Sequence, residues 1–185
     1  MSDRFTYLPT ALVHDFDWVH LHWSSQWLYV TIQQSLPPLV PGAWRWEPRT
    51  LSVQGQCANL EMIESAAEGL AAAGFLMVDE AAGECHLRSY LAHDRLIHMP
   101  NALVSTCRNI TRVGSWSIRA AMVCQLRALR DAHPDLSGWE RPAVKDLLAR
   151  SYDEPEFAWI DEKRRGVMPF KMTADGVPES GEIGA

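Results

Sequence analysis

The spacing of apolar residues near the N-terminus predicts one helix, preceded by a weak strand. The helix covers about 24–35, because apolar side chains three and four positions apart share one face of a helix. Ser24 is placed to cap its first turn, and two consecutive prolines at 37–38 end it, since proline cannot continue the backbone hydrogen-bond ladder. The strand candidates are residues 7–8 and 11–13.

Residues from 36 to the middle of the chain are predicted to form a loop and then two helices. The loop, 36–48, is rich in proline. Thr50 can cap a short helix that reaches about Cys57, and Asn59 can cap a longer one that ends near residue 73, before a glycine. The apolar stripe of the longer helix is formed by Leu60, Ile63, Ala67 and Leu70.

A β-hairpin is predicted directly after this helix. Phe75 to Val78 is the outgoing strand, residues 79–83 supply the turn, and Glu84 to Leu91 is the returning strand. Helix, short helix, helix and hairpin follow one another in the order of a winged helix-turn-helix. The fold class predicted for the chain is therefore mainly α with a small β-hairpin.

The second half of the chain predicts only helices. One covers about 100–112, a longer one covers 116–132 with the preceding serine as its cap, and a last one runs from near Pro142 to about 151. Ser137 and Glu140 have the spacing of a capping box before it. The inward face of the long helix is formed by Ile118, Met122, Gln125, Leu126 and Leu129.

Three segments are predicted to make up the chain. Residues 1–95 form the winged-helix domain, and residues 96–151 form a helical segment that packs on it or forms an interface. Residues 152–185 form an acidic tail, which turns from about 166 into glycine, proline, serine and acids with little to bury. We expect that tail to be largely disordered.

Charge divides the chain in a similar way. The net charge of −6 is unfavourable for a nucleic-acid binder, but its distribution is uneven. Residues 1–85 hold three arginines against ten acids, and residues 86–150 hold ten Lys or Arg against five acids. The residues from 151 onward hold four Lys or Arg against eight acids. The helical half is thus the basic part of the molecule.

Cysteine usage and hydropathy indicate a cytoplasmic protein with no membrane partner. The cysteines, Cys57, Cys85, Cys107 and Cys124, form no C-x-x-C pair, and we expect buried thiols in place of a disulfide framework or zinc site. No apolar run approaches the roughly 18 residues that cross a bilayer. The N-terminus also lacks the pattern of a signal peptide. No cofactor or metal is expected.

Several motifs resemble those of one family. They are the hairpin residues Val78, Asp79, Glu80, Gly83 and Glu84, the run from Leu87 to Asp94, and the helix that starts near Ser24. With Pro100-Asn101 and the arginine-bearing helix after Ser115, this pattern resembles winged-helix proteins of actinobacterial phages and prophages, over about two-thirds of the chain. The resemblance implies DNA binding in replication initiation or transcriptional control.

The predicted recognition helix is unusual for a DNA binder. In winged-helix DNA complexes the third helix lies in the major groove and the wing touches the backbone. Helix 59–73 has no Lys or Arg, and its outward positions are acidic or polar. The sequence also departs from the family at His22-Trp23 and at Ala92, where a second arginine is expected. Those outward positions are Glu61, Glu64, Ser65 and Glu68.

The candidate DNA contacts lie mostly on the flanks of that helix. Asn59 can read an adenine edge, and the arginines can neutralise phosphates. Arg88 has the alternative of an internal ion pair with Asp94, and the arginines of the second half can also be ordinary solvated positions on amphipathic helices. The candidates are Arg45, Arg49, Asn59, Arg88, Arg95, Arg108 and Arg112, with Arg119, Arg127 and Arg130 as a further basic surface.

Two binding functions are consistent with these residues. One is a non-enzymatic protein that binds double-stranded DNA, approached by the basic half as much as by the helix-turn-helix. The other is a winged helix used for contact with a host or phage protein, with the acidic helix against a basic partner. Helix 116–132 is the candidate interface of a homodimer, which would match palindromic sites.

Catalysis is disfavoured by the absence of recognisable motifs. His14, His20 and His22 lie close in sequence, and His93 directly precedes Asp94. A His–Asp pair can serve as a general base and the group that orients it. No nucleophile elbow, glycine-rich phosphate loop or H-E-x-x-H motif is present. The N-terminal tryptophans are expected to form a core, with an exposed subset marking a partner-binding patch. They are Trp18, Trp23, Trp27, Trp44 and Trp46.

Overall fold

The computed structural model describes residues 12–87, 90–93 and 95–152, with the backbone alone for Ala92, His93 and Arg95. In this part the chain is mainly helical, with one small antiparallel sheet. The α-helices are α1 Phe16–Val19, α2 Trp23–Ser35, α3 Pro48–Leu51, α4 Leu60–Ala72, α5 Tyr90–His93, α6 Pro100–Ile110, α7 Trp116–Ala132 and α8 Pro142–Leu148. The strands are β1 Ala43–Arg45, β2 Leu76–Asp79 and β3 Glu84–Leu87. Short 3-10 helices lie at Leu12–His14, Arg95–His98 and Ser137–Glu140.

The sheet has the strand order β1–β3–β2, so the last strand in sequence is the central one. Both pairings are antiparallel. The register places Glu84 of β3 opposite Arg45 of β1 on one side and opposite Asp79 of β2 on the other. Gly83, with φ of 62°, gives the hairpin turn the left-handed conformation that glycine adopts without strain.

The first core lies between α2, α4 and one face of the sheet. Trp44 is nearly fully buried there, and the rings of Trp18, Tyr29 and Phe75 meet edge to face at centroid distances of 5.1 to 6.3 Å. Such T-shaped packing is the favourable arrangement for aromatic quadrupoles. The aliphatic members include Leu28, Ile32, Ile63, Leu70, Leu76 and Leu87.

The second core lies on the opposite face of the sheet, under α6, α7 and α8. Since side chains alternate along a strand, Ala43 joins this core while its neighbour Trp44 joins the first. The sheet is therefore shared by the two cores and holds the two halves of the described chain together. Members from the helices include Leu103, Ile110, Met122, Leu126, Leu129 and Val144.

Most predicted helices and the hairpin are confirmed, with boundaries shifted by a few residues. Helix α7 has the predicted bounds, with Ser115 as its N-cap, and α4 begins after the predicted cap Asn59. Gly74, at φ 73°, follows α4 as expected. The capping groups are recognisable from sequence because they act within their own first turn.

Several local predictions are wrong. The predicted loop 36–48 contains β1, because a three-residue strand has too little alternation to be recognised from sequence. His22, not Ser24, caps α2, and α3 begins after Glu47, not after Thr50. The returning strand ends at Leu87, and α5 follows where a strand is predicted up to Leu91.

Two further predictions at the ends of the described chain are also wrong. Leu12–His14 is a 3-10 helix, so the strand candidate at 11–13 fails over its described part. Ser137 and Glu140 lie within a 3-10 helix, and α8 begins after Arg141 with no side-chain cap. The candidate at 7–8 and the tail from 153 lie outside the described residues. None of the described helices is long and apolar enough to cross a bilayer.

Gly69 of α4 lies where α2 packs closely on α4, and this predicts the effect of a side chain at that position. A Cβ at this position would lie 2.7 Å from Ser25 Oγ, which donates a hydrogen bond to the carbonyl of Ala66. Gly to Ala inside a helix ordinarily stabilises by about 0.5–1 kcal/mol. We expect Gly69→Ala to destabilise instead by roughly 1 kcal/mol, because the hydroxyl must turn away and give up its bond.

Urea unfolding of a double-mutant cycle checks this. In a Ser25→Ala background the oxygen is gone, and we expect Gly69→Ala to become stabilising. If Gly69→Ala changed the free energy of unfolding by the same sign and amount in both backgrounds, this would contradict the packing described for this site.

Candidate nucleic-acid interface

The β-hairpin is fixed to the start of α7 by a buried carboxylate. Glu84 is 8% exposed, and its two carboxylate oxygens accept hydrogen bonds from the backbone N–H groups of Gly114 (3.0 Å) and Ser115 (2.8 Å). A carboxylate at a helix N-terminus satisfies backbone donors that have no partner within the helix, and it interacts favourably with the helix dipole. This contact between the hairpin and α7 is called the joint below.

Asp79 adds a second carboxylate to this joint. It accepts from the hydroxyl of Ser115 at 2.6 Å, from Ser117 at 3.4 Å and from the backbone N–H of Ala82 at 3.0 Å. These bonds, above all that of Ser115, lower the pKa of Asp79 below its ordinary value of 3.8. Ser115 Oγ in turn accepts from the N–H of Ile118 at 3.1 Å, so one hydroxyl links the hairpin to the first turn of α7.

This joint brings arginines from the two halves of the chain near one another. Arg45 lies opposite Glu84 in the sheet, and Cα atoms paired in this way are about 4.5–5.5 Å apart. Arg112 lies two residues before Gly114, which bonds to the same Glu84. Both arginines are exposed. Their proximity is not visible from sequence, because the contact joins residues far apart in the chain.

Helix α6 and the turn after it present the clearest basic face. Arg108 lies in the last turn of α6 and Arg112 in the turn that follows the helix, and both are exposed. Neither makes an ion pair within the described residues. From Arg95 to Arg130 the sequence has six arginines and no acid, so few competing carboxylates lie along this part of the chain.

The other candidate arginines have different environments. Arg49 is exposed on α3, far in the sequence from Arg108 and Arg112. Arg127 is engaged internally, since its guanidinium donates to the carbonyls of Leu148 (2.9 Å) and Arg150 (2.6 Å) and so caps the end of α8. The prediction that Arg127 belongs to an open basic surface is therefore wrong.

Two more members of that further surface are partly engaged. Arg130 pairs with Asp131 at 2.9 Å, which offsets its charge. The guanidinium carbon of Arg119 lies 5.4 Å from the ring centroid of Trp116. Arg88, Asp94 and the side chain of Arg95 lie outside the described residues, so the two alternatives for Arg88 are unchanged.

Helix α4 has the acidic outer face that the sequence predicts. Glu61, Glu64, Ser65 and Glu68 are all exposed. Asn59 is engaged as the N-cap, because its side-chain oxygen accepts from the N–H of Met62 at 2.8 Å. Reading of an adenine edge needs both the oxygen and the nitrogen of an Asn side chain, so the cap and this contact compete for one oxygen.

Helix α7 does not offer a free apolar face for a dimer. Its apolar residues are buried within the chain, among them Ile118, Met122 and Leu126 in the second core. This face is occupied within the chain by α5, α8 and the sheet, and the homodimer through helix 116–132 stays a prediction.

The N-terminal tryptophans mostly belong to the first core, as expected. Trp18 and Trp44 are buried, and Trp27 and Trp46 pack against that core half-buried. Trp23 is the exception at 59% exposed. In the basic half Trp116 is 50% exposed. The sequence shows that Trp116 follows the helix cap Ser115, but the exposure of its side chain was not predicted.

The histidines near the N-terminus have local structural partners. His20 Nδ1 lies 2.7 Å from the carbonyl of Phe16, and His22 Nδ1 lies 2.7 Å from Ser24 Oγ at the start of α2. Both lie between α1 and α2. His93 is described in its backbone alone. Among the described residues no three His, Cys, Asp or Glu side chains are grouped as metal ligands.

The cysteines are not all buried. Cys57 is exposed, contrary to expectation, while Cys85 and Cys107 lie in the two cores. Burial raises the pKa of both core thiols to about 12, so they stay protonated near neutral pH and are poor nucleophiles.

Comparison of the chain with protein-family models, with curated proteins and with solved structures found no match. A functional proposal for this chain therefore rests on the joint and on the charges around it.

The joint itself can be tested through Glu84. We expect Glu84→Gln to destabilise the fold by about 1.5–3 kcal/mol, because charge-assisted bonds to two backbone donors are weakened. Glu80→Gln, on the exposed hairpin turn, is the matched control and should change stability by less than about 0.5 kcal/mol. Equal effects of the two substitutions in chemical denaturation would show that Glu84 does not hold the joint.

Asp79 predicts a pH dependence of stability. Its pKa is lower in the folded chain than in the unfolded one, so its contribution is complete above pH 3.8 and is lost as the pH falls through the folded value. We expect Asp79→Asn to be less stable than the wild type near neutral pH, with a difference that shrinks in acid. The free energy of unfolding of both proteins, measured over a pH series, checks this. A stability difference that grows as the pH falls would contradict the lowered pKa of Asp79.

Substitutions of Asn59 distinguish its role as a helix cap from a role in reading DNA bases. We expect Asn59→Ala to lower stability by about 1 kcal/mol through loss of the cap, whereas Asn59→Asp keeps the cap and most of the stability. If capping is its whole role, Asn59→Ala binds DNA as the wild type does at a temperature where both are folded. A large loss of affinity in both variants would restore the base-reading hypothesis.

Proposed function

We propose that this chain is a non-enzymatic DNA-binding protein of the winged helix-turn-helix type, acting in replication initiation or transcriptional control. The order of elements supports this assignment. Helix α2, strand β1, helices α3 and α4 and strands β2 and β3 follow one another as in a winged helix, with the hairpin as the wing. The resemblance to phage and prophage winged-helix proteins points the same way, by analogy.

The observation that carries the proposal is the exposed basic surface at the end of α6 and the turn after it, where Arg108 and Arg112 form no ion pair within the described residues. Arg108 and Arg112 are open to solvent in a stretch of sequence that has no acid, and Arg45 lies beside the joint that follows this face. Guanidinium groups of this kind neutralise phosphates and release condensed counterions, which supplies most of the affinity of sequence-independent binding.

The acidic face of α4 argues against the usual docking geometry. Glu61, Glu64 and Glu68 would lie against phosphates if α4 entered the major groove, and like charges there oppose binding. The wing is also held by the joint at Glu84, so it is less free to follow the DNA backbone. We therefore place duplex DNA on the α6 face, with α4 turned away.

Binding to a random-sequence duplex at several salt concentrations tests this. We expect Arg108→Ala/Arg112→Ala to weaken binding roughly tenfold and to lower the slope of log K against log salt by about 0.9 for each phosphate that is no longer neutralised. Arg141→Ala/Arg150→Ala removes two exposed arginines at the ends of α8 and is the matched control. An equal decrease in affinity in both double variants would refute a specific role for α6.

Neutralising the acids of α4 tests the docking geometry separately. With DNA on α6, Glu61→Gln/Glu64→Gln/Glu68→Gln should change duplex affinity by less than about threefold near physiological salt, where charges beyond roughly 8 Å are screened. An increase in affinity of about tenfold or more would place α4 against the DNA.

A second candidate function is a protein-interaction module without DNA affinity. The exposed carboxylates of α4 favour it, since among the described residues they form no ion pair and would suit a basic partner protein, whether host or phage. The duplex titration distinguishes the two functions. Absence of binding even at low salt would favour the interaction module, whereas salt-sensitive binding would favour the first proposal.

A further inference from the structure

Trp116 is an exposed aromatic side chain in the basic part of the molecule. It is the first residue of α7, and half of its surface is open to solvent. Burial of a tryptophan side chain is strongly favourable, so a ring left half open at a fixed position offers apolar area to a ligand. The comparably exposed Trp23 lies in the acidic N-terminal part, which makes it a natural control.

The position of the Trp116 ring is set by its neighbours. Its centroid is 4.9 Å from that of Tyr152, with the two planes inclined by 37°, and Tyr152 is itself buried. The Arg119 guanidinium lies 5.4 Å from the ring centroid, and the preceding Ser115 is held by the hairpin carboxylates. A ring ordered in advance loses little entropy when a ligand packs on it.

Among the described residues, the charges around Trp116 favour an anionic ligand. Arg112 and Arg119 lie within four residues of it, and Arg45 is across the joint. The nearest acids of the joint, Asp79 and Glu84, are engaged by Ser115, Ser117 and backbone N–H groups, which offsets part of their charge. A ligand with both an aromatic face and a phosphate would use the tryptophan and the arginines together.

We propose that Trp116, flanked by Arg112 and Arg119, is a stacking platform for an unpaired nucleobase, so that the chain binds single-stranded DNA at this surface. The proposal rests on the DNA-binding function proposed above and names a ligand form for it. Within a duplex the base faces stack on one another and are closed to a protein ring. Every unpaired base offers a π-face, and aromatic side chains beside cations are how proteins bind single strands without sequence preference.

The test compares single-stranded and duplex DNA on the same variants. The probes are a dye-labelled oligothymidylate and a duplex of equal length, followed by fluorescence anisotropy. We expect Trp116→Ala to weaken binding of the single strand about 5- to 150-fold, the range for removal of one base stack, and to leave duplex affinity nearly unchanged. Trp23→Ala should leave both affinities unchanged.

Two conservative variants guard against a loss of folding. Trp116→Leu keeps apolar bulk against Tyr152 but has no aromatic plane, whereas Trp116→Phe keeps a smaller plane. We expect Trp116→Phe to retain most single-strand binding and Trp116→Leu to lose it, with both variants folded by circular dichroism. In a strand that carries 2-aminopurine, the wild type should quench base fluorescence by stacking and the Trp116→Leu variant should not.

The outcomes separate the two proposals. Equal single-strand affinity of the wild type and the folded Trp116→Leu variant would overturn the stacking platform. Duplex binding without single-strand binding would also overturn it and leave the DNA-binding function intact. Absence of binding to either probe at low salt would overturn both proposals together.

Discussion

The N-terminus of a long helix leaves backbone N–H groups without partners in the helix, and the fold of this chain depends on how they are satisfied. At the start of α7, Glu84 of the hairpin accepts from the N–H groups of Gly114 and Ser115, and Ser115 Oγ accepts from that of Ile118. Asp79 of the same hairpin accepts from the Ser115 hydroxyl and so holds it in place. A buried carboxylate is costly unless it is fully hydrogen-bonded, so the joint stabilises the fold only when hairpin and helix are in register. Each half thus fixes the position of the other.

The same joint explains why the sheet is shared by two cores. With the hairpin held against α7, one face of β1 and β3 packs on the aromatic cluster around Trp44, and the other face, with Ala43, packs under the C-terminal helices. A three-stranded sheet with very short strands has little stability of its own. Apolar packing on both faces of the sheet supplies the stability that its short hydrogen-bond ladders do not.

The arrangement also bears on function through charge. The joint uses the carboxylates of Glu84 and Asp79 internally, and the acids of α4 are exposed. Arg108 and Arg112 form no ion pair among the described residues. On the proposed DNA-binding function, we expect a polyanion to be attracted to the side of α6 and repelled from that of α4. In winged-helix DNA complexes the reverse is usual, since the third helix of those proteins enters the groove.

Local sequence signals determined the longer helices of this protein, and tertiary structure decided which of their features act together. Asn59 and Ser115 cap α4 and α7 because their side chains bond within the same turn, and the acid-free run from Arg95 to Arg130 is a property of neighbours in the chain. Strand β1, in contrast, exists because β3 pairs with it, and Arg127 is internal because the end of α8 meets it. Such contacts join distant segments, and their energy depends on geometry that periodicity and composition do not contain. The sequence therefore determined the long helices, the hairpin and the charges, while packing decided the remaining elements and which surface those charges form.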